Sequence, residues 1–265
     1  MTKPISFIGT GKMAAALISC IYKNNLAKSI IASDHGEDNL RKIKSKFSKI
    51  RTTDDNKEAV KNSDIVFICV KPQDIGIVLN EIKDEIKSQL IVSIAAGIKI
   101  KHIESILGKK RIIRVMPNIN CLVGEMAAGF SAGKYATKDD IGNVEELLNS
   151  AGISFLIKED LIDALSSISG AGPAFFAYFI DAMAKSGIKN GLQKNVAYKL
   201  AEKTALGTGK LLLENKLTPD EVINMVASKK GVTLAGLKVL DMSNTNKIIE
   251  NTINAAIKRS KELGR

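Results

Sequence analysis

The sequence predicts an α/β protein in which an N-terminal, doubly wound parallel sheet is followed by an all-helical C-terminal domain. Three observations carry this prediction. Short continuous apolar runs, each stopped by glycine, proline or polar residues, alternate with helical periodicity through the first part of the chain. The first run enters a glycine turn and leaves as a helix within the first twenty residues. Past residue 160 the strand-like runs cease while helical spacing continues, so 1–159 and 160–265 read as two domains.

The opening run is Ile5-Ser6-Phe7-Ile8-Gly9-Thr10-Gly11-Lys12-Met13-Ala14-Ala15-Ala16-Leu17. Its order of strand, glycine loop and helix is that of the Rossmann-type dinucleotide turn. Gly9 permits the tight turn, Gly11 keeps a Cβ away from an approaching pyrophosphate, and Ala14 takes the small position where helix and strand pack closely. The free N–H groups at the helix start then point at the phosphates.

The second strand, Ser29-Ile30-Ile31-Ala32-Ser33-Asp34-His35, ends where an adenosine ribose would lie. Asp34 there favours NAD through the ribose 2′-hydroxyl, or else caps the following helix, whereas Ser33, His35 and Arg41 suit the 2′-phosphate of NADP. Asp64 to Gln73 reads as a buried strand stopped at Pro72. Leu90 to Ile94 repeats the design and ends in Ala95-Ala96-Gly97, whose small side chains leave room for a flat ring. Arg111 to Asn118 is a further strand, and Ile153 to Ile157 closes the sheet after a helix begun at Thr137 with Asp140 in the capping-box position.

In the second half, Asp160 to Ser169 reads as an amphipathic helix, broken by Gly170-Ala171-Gly172-Pro173. The next helix carries Phe175, Phe176, Phe179 and Met183 and ends near Gly187. A long helix from Gln193 to Glu214 contains Ala205, Gly207 and Gly209, small residues that suit a close helix crossing. Thr218-Pro219-Asp220-Glu221 is a helix start, and Ser228-Lys229-Lys230-Gly231-Val232-Thr233 is a loop opening onto the last helices. Phe, Leu and Ile on several helix faces point to burial against a second subunit.

Composition narrows the chemistry. The net charge is +11 among 265 residues, but the 39 basic residues are scattered and are not interleaved with aromatics, so a solvated basic surface is expected and no nucleic-acid partner. Cys20, Cys69 and Cys121 lack metal or redox spacing and read as reduced core thiols in a reducing compartment. No signal peptide or membrane span is legible, and a cytoplasmic location is expected. With two histidines, a Ser-His-Asp nucleophile and a metal site are not expected, so the chemistry falls to the cofactor. No residue is well placed as the base that alcohol oxidation needs, whereas reducing a C=N bond needs hydride delivery, orientation and an anchor for a carboxylate. Backbone donors at Gly231, Val232 and Thr233 offer such an anchor, unless the loop simply caps a helix.

Together these residues resemble the pyrroline-5-carboxylate reductase family over nearly the whole chain. The resemblance rests on Phe7 to Ala14, Val70-Lys71-Pro72-Gln73, Met116-Pro117-Asn118, Glu159 to Ala164, Ser169-Gly170-Ala171-Gly172-Pro173-Ala174 and Ser228 to Gly236. It implies reduction of L-1-pyrroline-5-carboxylate to L-proline by hydride transfer, with NADPH the family's usual cofactor and NADH open. A reductase of a related cyclic imine or other small acid is the alternative. It places Gly9, Thr10, Gly11, Lys12, Met13, Ser33, Asn56, Val70, Lys71, Pro72 and Ala96 at the cofactor. It places Glu159, the turn Ser169, Ala171 and Gly172, and Gly231, Val232 and Thr233 at the substrate, with Thr233 nearest the reacting nitrogen. It also implies homodimers with interleaved helical domains, often assembled into rings.

Two departures stand out. Ala171 replaces the second serine of the family's Ser-Gly-Ser-Gly-Pro. In the family's Ser-Pro-Gly-Gly-Thr-Thr loop, Lys229, Lys230 and Val232 replace the proline, the first glycine and the first threonine.

Overall fold

The structure, a computed structural model, describes residues 3–263. Its elements run β1 (Lys3–Ile8), α1 (Lys12–Lys23), β2 (Ala27–Ser33), α2 (Glu37–Lys46), β3 (Arg51–Thr53), α3 (Asn56–Lys61), β4 (Ile65–Ile68), α4 (Ile75–Ile82), β5 (Leu90–Ser93), α5 (Ile100–Leu107), β6 (Arg111–Met116), β7 (Met126–Ala132), α6 (Lys138–Asn149) and β8 (Gly152–Leu156). After them come α7 (Ile162–Leu165), α8 (Gly172–Lys189), α9 (Lys194–Glu214), α10 (Pro219–Val226), α11 (Val232–Met242) and α12 (Thr245–Leu263). The chain divides into two compact units. One ends at Gly170 and takes in the chain again from Ile257, and the other spans Ala171–Ala256.

The first unit is built on one sheet of eight strands in the order β3-β2-β1-β4-β5-β6-β7-β8. The chain winds outward from β1 through β2 to β3, then restarts beside β1 at β4 and winds the other way. That reversal opens a crevice at the carboxyl ends of β1 and β4. Apolar runs form these strands because helices cover both faces, which leaves few polar positions. β4 is buried at every residue, and Phe7 faces Phe67 across the β1–β4 pair with ring centroids 4.7 Å apart. One core cluster packs α1 against the sheet through Ala14, Leu17, Ile18 and Ile21, and a second packs α4 and α5 through Leu79, Ile82 and Ile103. Each fully buried Leu, Ile or Phe contributes on the order of 1.5–3 kcal/mol.

Two strands escape sequence reading. β3 is three residues long, and β7 is built from small residues (Met126-Ala127-Ala128-Gly129-Phe130-Ser131-Ala132) without the apolar run of a buried parallel strand. β7 runs antiparallel to β6, because a single 3-10 turn at Ile119–Val123, ended by left-handed Gly124, reverses the chain. The Thr137 helix start carries both capping-box hydrogen bonds to Asp140, as expected.

The helix expected over 160–169 is not continuous. A 3-10 turn at Glu159–Leu161 leads into α7, and α7 widens into a π-turn at Ser166–Gly170. Side chains hold this segment to the first unit: Glu159 bonds Ile100 and Arg114, and Asn118 donates to the Ser169 carbonyl. The compact units consequently part at Gly170 and Ala171.

In the second unit, α8 and α9 pack through Ala184, Ala197 and Ala201, and the Tyr198 hydroxyl donates to Asp181 at 2.6 Å. Thr218 and Glu221 form the expected capping box of α10. The α8 side chains Phe176, Tyr178, Phe179 and Met183 are exposed, as are Leu200 and Leu213 on α9. A Cβ added at Gly207 or Gly209 meets nothing within 4 Å, so among the described residues no helix crosses closely there.

Candidate functional site

In the first unit, a cleft of about 510 Å³ lies over the crevice between β1 and β4. Gly9, Gly11, Asp34, Asn56, Val70 and Lys71 contribute to its lining, together with Glu81 and the apolar Ile77 and Val78 of α4. Gly9 has φ +88, and its N–H donates to the Ser33 carbonyl at 2.8 Å. A Cβ there would stand 2.8 Å from the Cys69 carbonyl oxygen, so both conformation and space demand glycine. Gly11, the residue preceding α1, has an ordinary φ of −63, and a Cβ built on it meets nothing within 4 Å. Its lack of a side chain therefore serves the open side of the loop. No side chain caps the first turn of α1, which leaves its N–H groups directed at an anion position. An open cradle and an uncapped helix start fit a dinucleotide diphosphate.

Asp34 ties this loop to the end of β2. Thr10 donates its N–H at 2.7 Å and its hydroxyl at 2.8 Å to Asp34 Oδ2, while Gly36 N–H donates to Oδ1 at 2.8 Å and the Asn39 amide reaches Oδ2 at 3.3 Å. Partial burial opposes the charge, but the donors of Gly36, Thr10 and Asn39 outweigh it and hold the Asp34 carboxyl below its ordinary pKa. Gly36, rather than Asp34, is the residue that caps α2.

Ser33, expected at the cofactor, is fully buried at the end of β2. Its hydroxyl donates to Asn56 Oδ1 at 2.7 Å, and Asn56 Nδ2 donates in turn to Glu81 at 2.9 Å. Arg41, read as a possible phosphate partner, pairs with Asp38 at 3.0 Å and Glu37 at 3.4 Å on its own exposed helix. Lys12 and Met13 open α1, while Lys71 and Pro72 are exposed at the 3-10 turn after β4. Desolvation raises the Cys69 thiol well above its ordinary pKa, so the sulfur beside this cleft is no thiolate nucleophile.

A second cavity of about 570 Å³ in the same unit is lined by Gly97, Lys99, Arg114, Glu159, Asp160, Asp163 and Lys261. Ala95 is buried and Ala96 exposed at the end of β5, and Gly97 has φ +77 in the turn closed by Ile98 N–H on the Ala95 carbonyl. Glu159 Oε1 accepts from Ile100 N–H at 2.8 Å and from Arg114 at 3.0 Å. This carboxylate, expected at the substrate, thus also caps α5 and neutralises a buried arginine. From the sequence, Arg114 stands as one more residue of the β6 strand. The signal was present, since a charge amid Ile112, Ile113 and Val115 is buried and must have a partner. Ser169 lies in the π-turn with its hydroxyl buried and without a hydrogen-bond partner among the described residues.

In the second unit, Ala171 precedes α8, whose first turn holds buried Gly172 and then Pro173. The altered loop keeps a definite turn. Gly231 N–H donates to the Ser228 carbonyl at 2.9 Å, and Lys230 has φ +66 while Lys229 is not among the residues of positive φ. That is a type II turn, with Lys229 and Lys230 in the positions that favour proline and glycine. Gly231 precedes α11, Val232 and Thr233 form its first turn, and no side chain caps it. Among the described residues, no cluster of three or more His, Cys, Asp or Glu has metal-binding geometry, and no helix is long and apolar enough to cross a membrane.

Residues 159–263 match the family described as pyrroline-5-carboxylate reductase dimerisation, and residues 4–97 match NADP oxidoreductase coenzyme F420-dependent. The chain is similar to a pyrroline-5-carboxylate reductase of Methanosarcina acetivorans, 38% identical with 98% of each chain covered. Among solved structures it is similar to a pyrroline-5-carboxylate reductase from Coxiella burnetii, with a TM-score of 0.96, 31% identity and all of both chains covered. It is also similar to pyrroline carboxylate reductase of Plasmodium falciparum with NADP bound, with a TM-score of 0.86, 30% identity and 99% and 98% of the two chains covered.

Proposed function

We propose, because the chain belongs to the pyrroline-5-carboxylate reductase family, that it reduces L-1-pyrroline-5-carboxylate to L-proline with NAD(P)H, the last step of proline biosynthesis. The observation that carries the reading is the loop Gly9 to Gly11 opening on the switch-point cleft, with space above Gly11 and an uncapped α1 start. A bound nicotinamide supplies the hydride. Thr10, Gly11, Lys12 and Met13 present backbone donors to the diphosphate, Asn56, Val70, Lys71 and Pro72 flank the dinucleotide, and Ala95, Ala96 and Gly97 leave room for its ring. The bound imine, arriving as its iminium, needs no strong base. Val232 and Thr233, with Gly231 before them, offer N–H donors to the substrate carboxylate, and the Thr233 hydroxyl lies nearest the reacting nitrogen. Glu159, Ser169, Ala171 and Gly172 complete the substrate contacts. The dinucleotide-binding role belongs to 1–159, and substrate binding with dimerisation to 160–265.

The working form is a homodimer with interleaved helical domains, assembled further into a ring. The exposed Phe176, Phe179, Met183 and Leu200 support burial against a second copy. Three free cysteines suit the cytoplasm. Mixing purified protein with substrate and either reduced dinucleotide should give loss of nicotinamide absorbance and formation of proline. Turnover with neither cofactor would remove the assignment.

A further inference from the structure

The cleft is unequal in charge. Its lining holds the carboxylates of Asp34, Asp74 and Glu81 against one lysine, Lys71, and the imidazole of His35. Asp34 stands at the end of β2, the position from which an acid meets the adenosine ribose in this fold class. Its carboxylate is fixed in place. Three separate donors on the glycine loop and the β2–α2 turn hold both oxygens at 2.7–2.8 Å, so it cannot swing aside without releasing Thr10 and Gly36. Apart from His35 and Lys71 in the lining, the groups that would welcome a phosphate are engaged elsewhere. The Ser33 hydroxyl and the Asn56 amide bond each other and Glu81, Arg41 pairs with Asp38, and Arg51 pairs with Glu58.

We infer that Asp34 makes this reductase discriminate against a 2′-phosphorylated dinucleotide, so that NADH is its preferred reductant. The inference rests on the reductase reading above and departs from the NADPH use that the resemblance implies. A ribose 2′-hydroxyl can donate to a fixed carboxylate. A 2′-phosphate dianion there meets a like charge, and the arginines nearest in sequence, Arg41 and Arg51, are paired with acids of their own.

The test is calorimetric titration of the full-length protein with NAD⁺ and NADP⁺, alongside kcat/KM for NADH and NADPH with pyrroline-5-carboxylate. The expected result is tighter binding of NAD⁺ by about tenfold or more, as repulsion between close like charges implies, and the same order in kcat/KM. The gap should narrow as salt rises, because screening weakens the repulsion. In Asp34→Asn, which removes the charge and keeps the shape, the ratio of the two affinities should move toward NADP⁺. If that variant loses its loop and both affinities fall, the wild-type ratio and its salt dependence still decide. NADP⁺ bound as tightly as NAD⁺ by the wild type, or neither bound, overturns the inference. A clear NAD⁺ preference without turnover of the imine would instead remove the reductase reading and leave the discrimination standing.

Discussion

Arg114 and Glu159 form an ion pair of 3.0 Å in which the arginine side chain is 6% exposed and the glutamate 29%. The same Glu159 oxygen accepts the Ile100 N–H, so one carboxylate joins β6, the start of α5 and the chain leading away from the sheet. Removing one partner of a buried pair strands the other without compensation. Glu159→Ala should therefore cost about 3 kcal/mol, whereas Glu159→Gln, which still accepts from Ile100, should cost about half as much. Chemical denaturation of the two variants checks this, and equal, small losses would show the pair to be solvated.

The two loop glycines should separate in their effects. At Gly9 an added Cβ collides with a backbone carbonyl at an unfavourable φ, so Gly9→Ala should lose about 2–4 kcal/mol of stability. At Gly11 the same atom enters open space at an ordinary φ, so Gly11→Ala should stay within about 0.5 kcal/mol of wild type. Yet it should weaken dinucleotide binding by about tenfold or more, if the loop exists for close approach of a diphosphate. Thermal melts with calorimetric titration make the comparison, and unchanged affinity in Gly11→Ala would detach the glycine from ligand binding.

The central parallel strands β4 and β5 were legible because burial on both faces writes itself as unbroken apolar runs, and the helix starts at Thr137 and Thr218 because a capping box has fixed spacing. β7 was not, since Met126-Ala127-Ala128-Gly129 packs closely through small residues that carry no periodic signal. Glycine spacing likewise revealed the cofactor loop. The hydrogen-bond partners of Ser33 and Glu159 did not follow from sequence, because Asn56 and Arg114 lie 23 and 45 residues away and meet them only in the folded sheet.

Acid should act on the Asp34 clamp in a defined direction. Its folded pKa lies below the ordinary 3.8, chiefly because the donors of Gly36 and Thr10 prevail over the opposing effect of burial. A depressed folded value means that the stabilisation is fully present above the unfolded pKa and is lost as pH falls through the folded one. The stability difference between wild type and Asp34→Asn should thus be constant from neutral pH to about pH 5 and shrink below about pH 4. A difference that persists unchanged to about pH 2 would show that the clamp does not depend on ionisation.

Lys230 holds φ +66 in the turn that leads into α11, a position where a Cβ costs about 1–2 kcal/mol. Lys230→Gly removes that cost but adds the chain entropy a glycine loses on folding, about 0.5–1 kcal/mol, so the net gain should be about 0.5–1 kcal/mol. Lys230→Ala also deletes the charge yet keeps the Cβ, and should gain nothing. The pair separates backbone strain from charge: a gain in both variants would assign the effect to the ammonium group, and a gain in neither would mean that the turn relaxes without cost. Because Gly231 N–H still closes the turn on Ser228, the glycine variant should keep the α11 start in place, and its substrate KM should match wild type while its melting temperature rises.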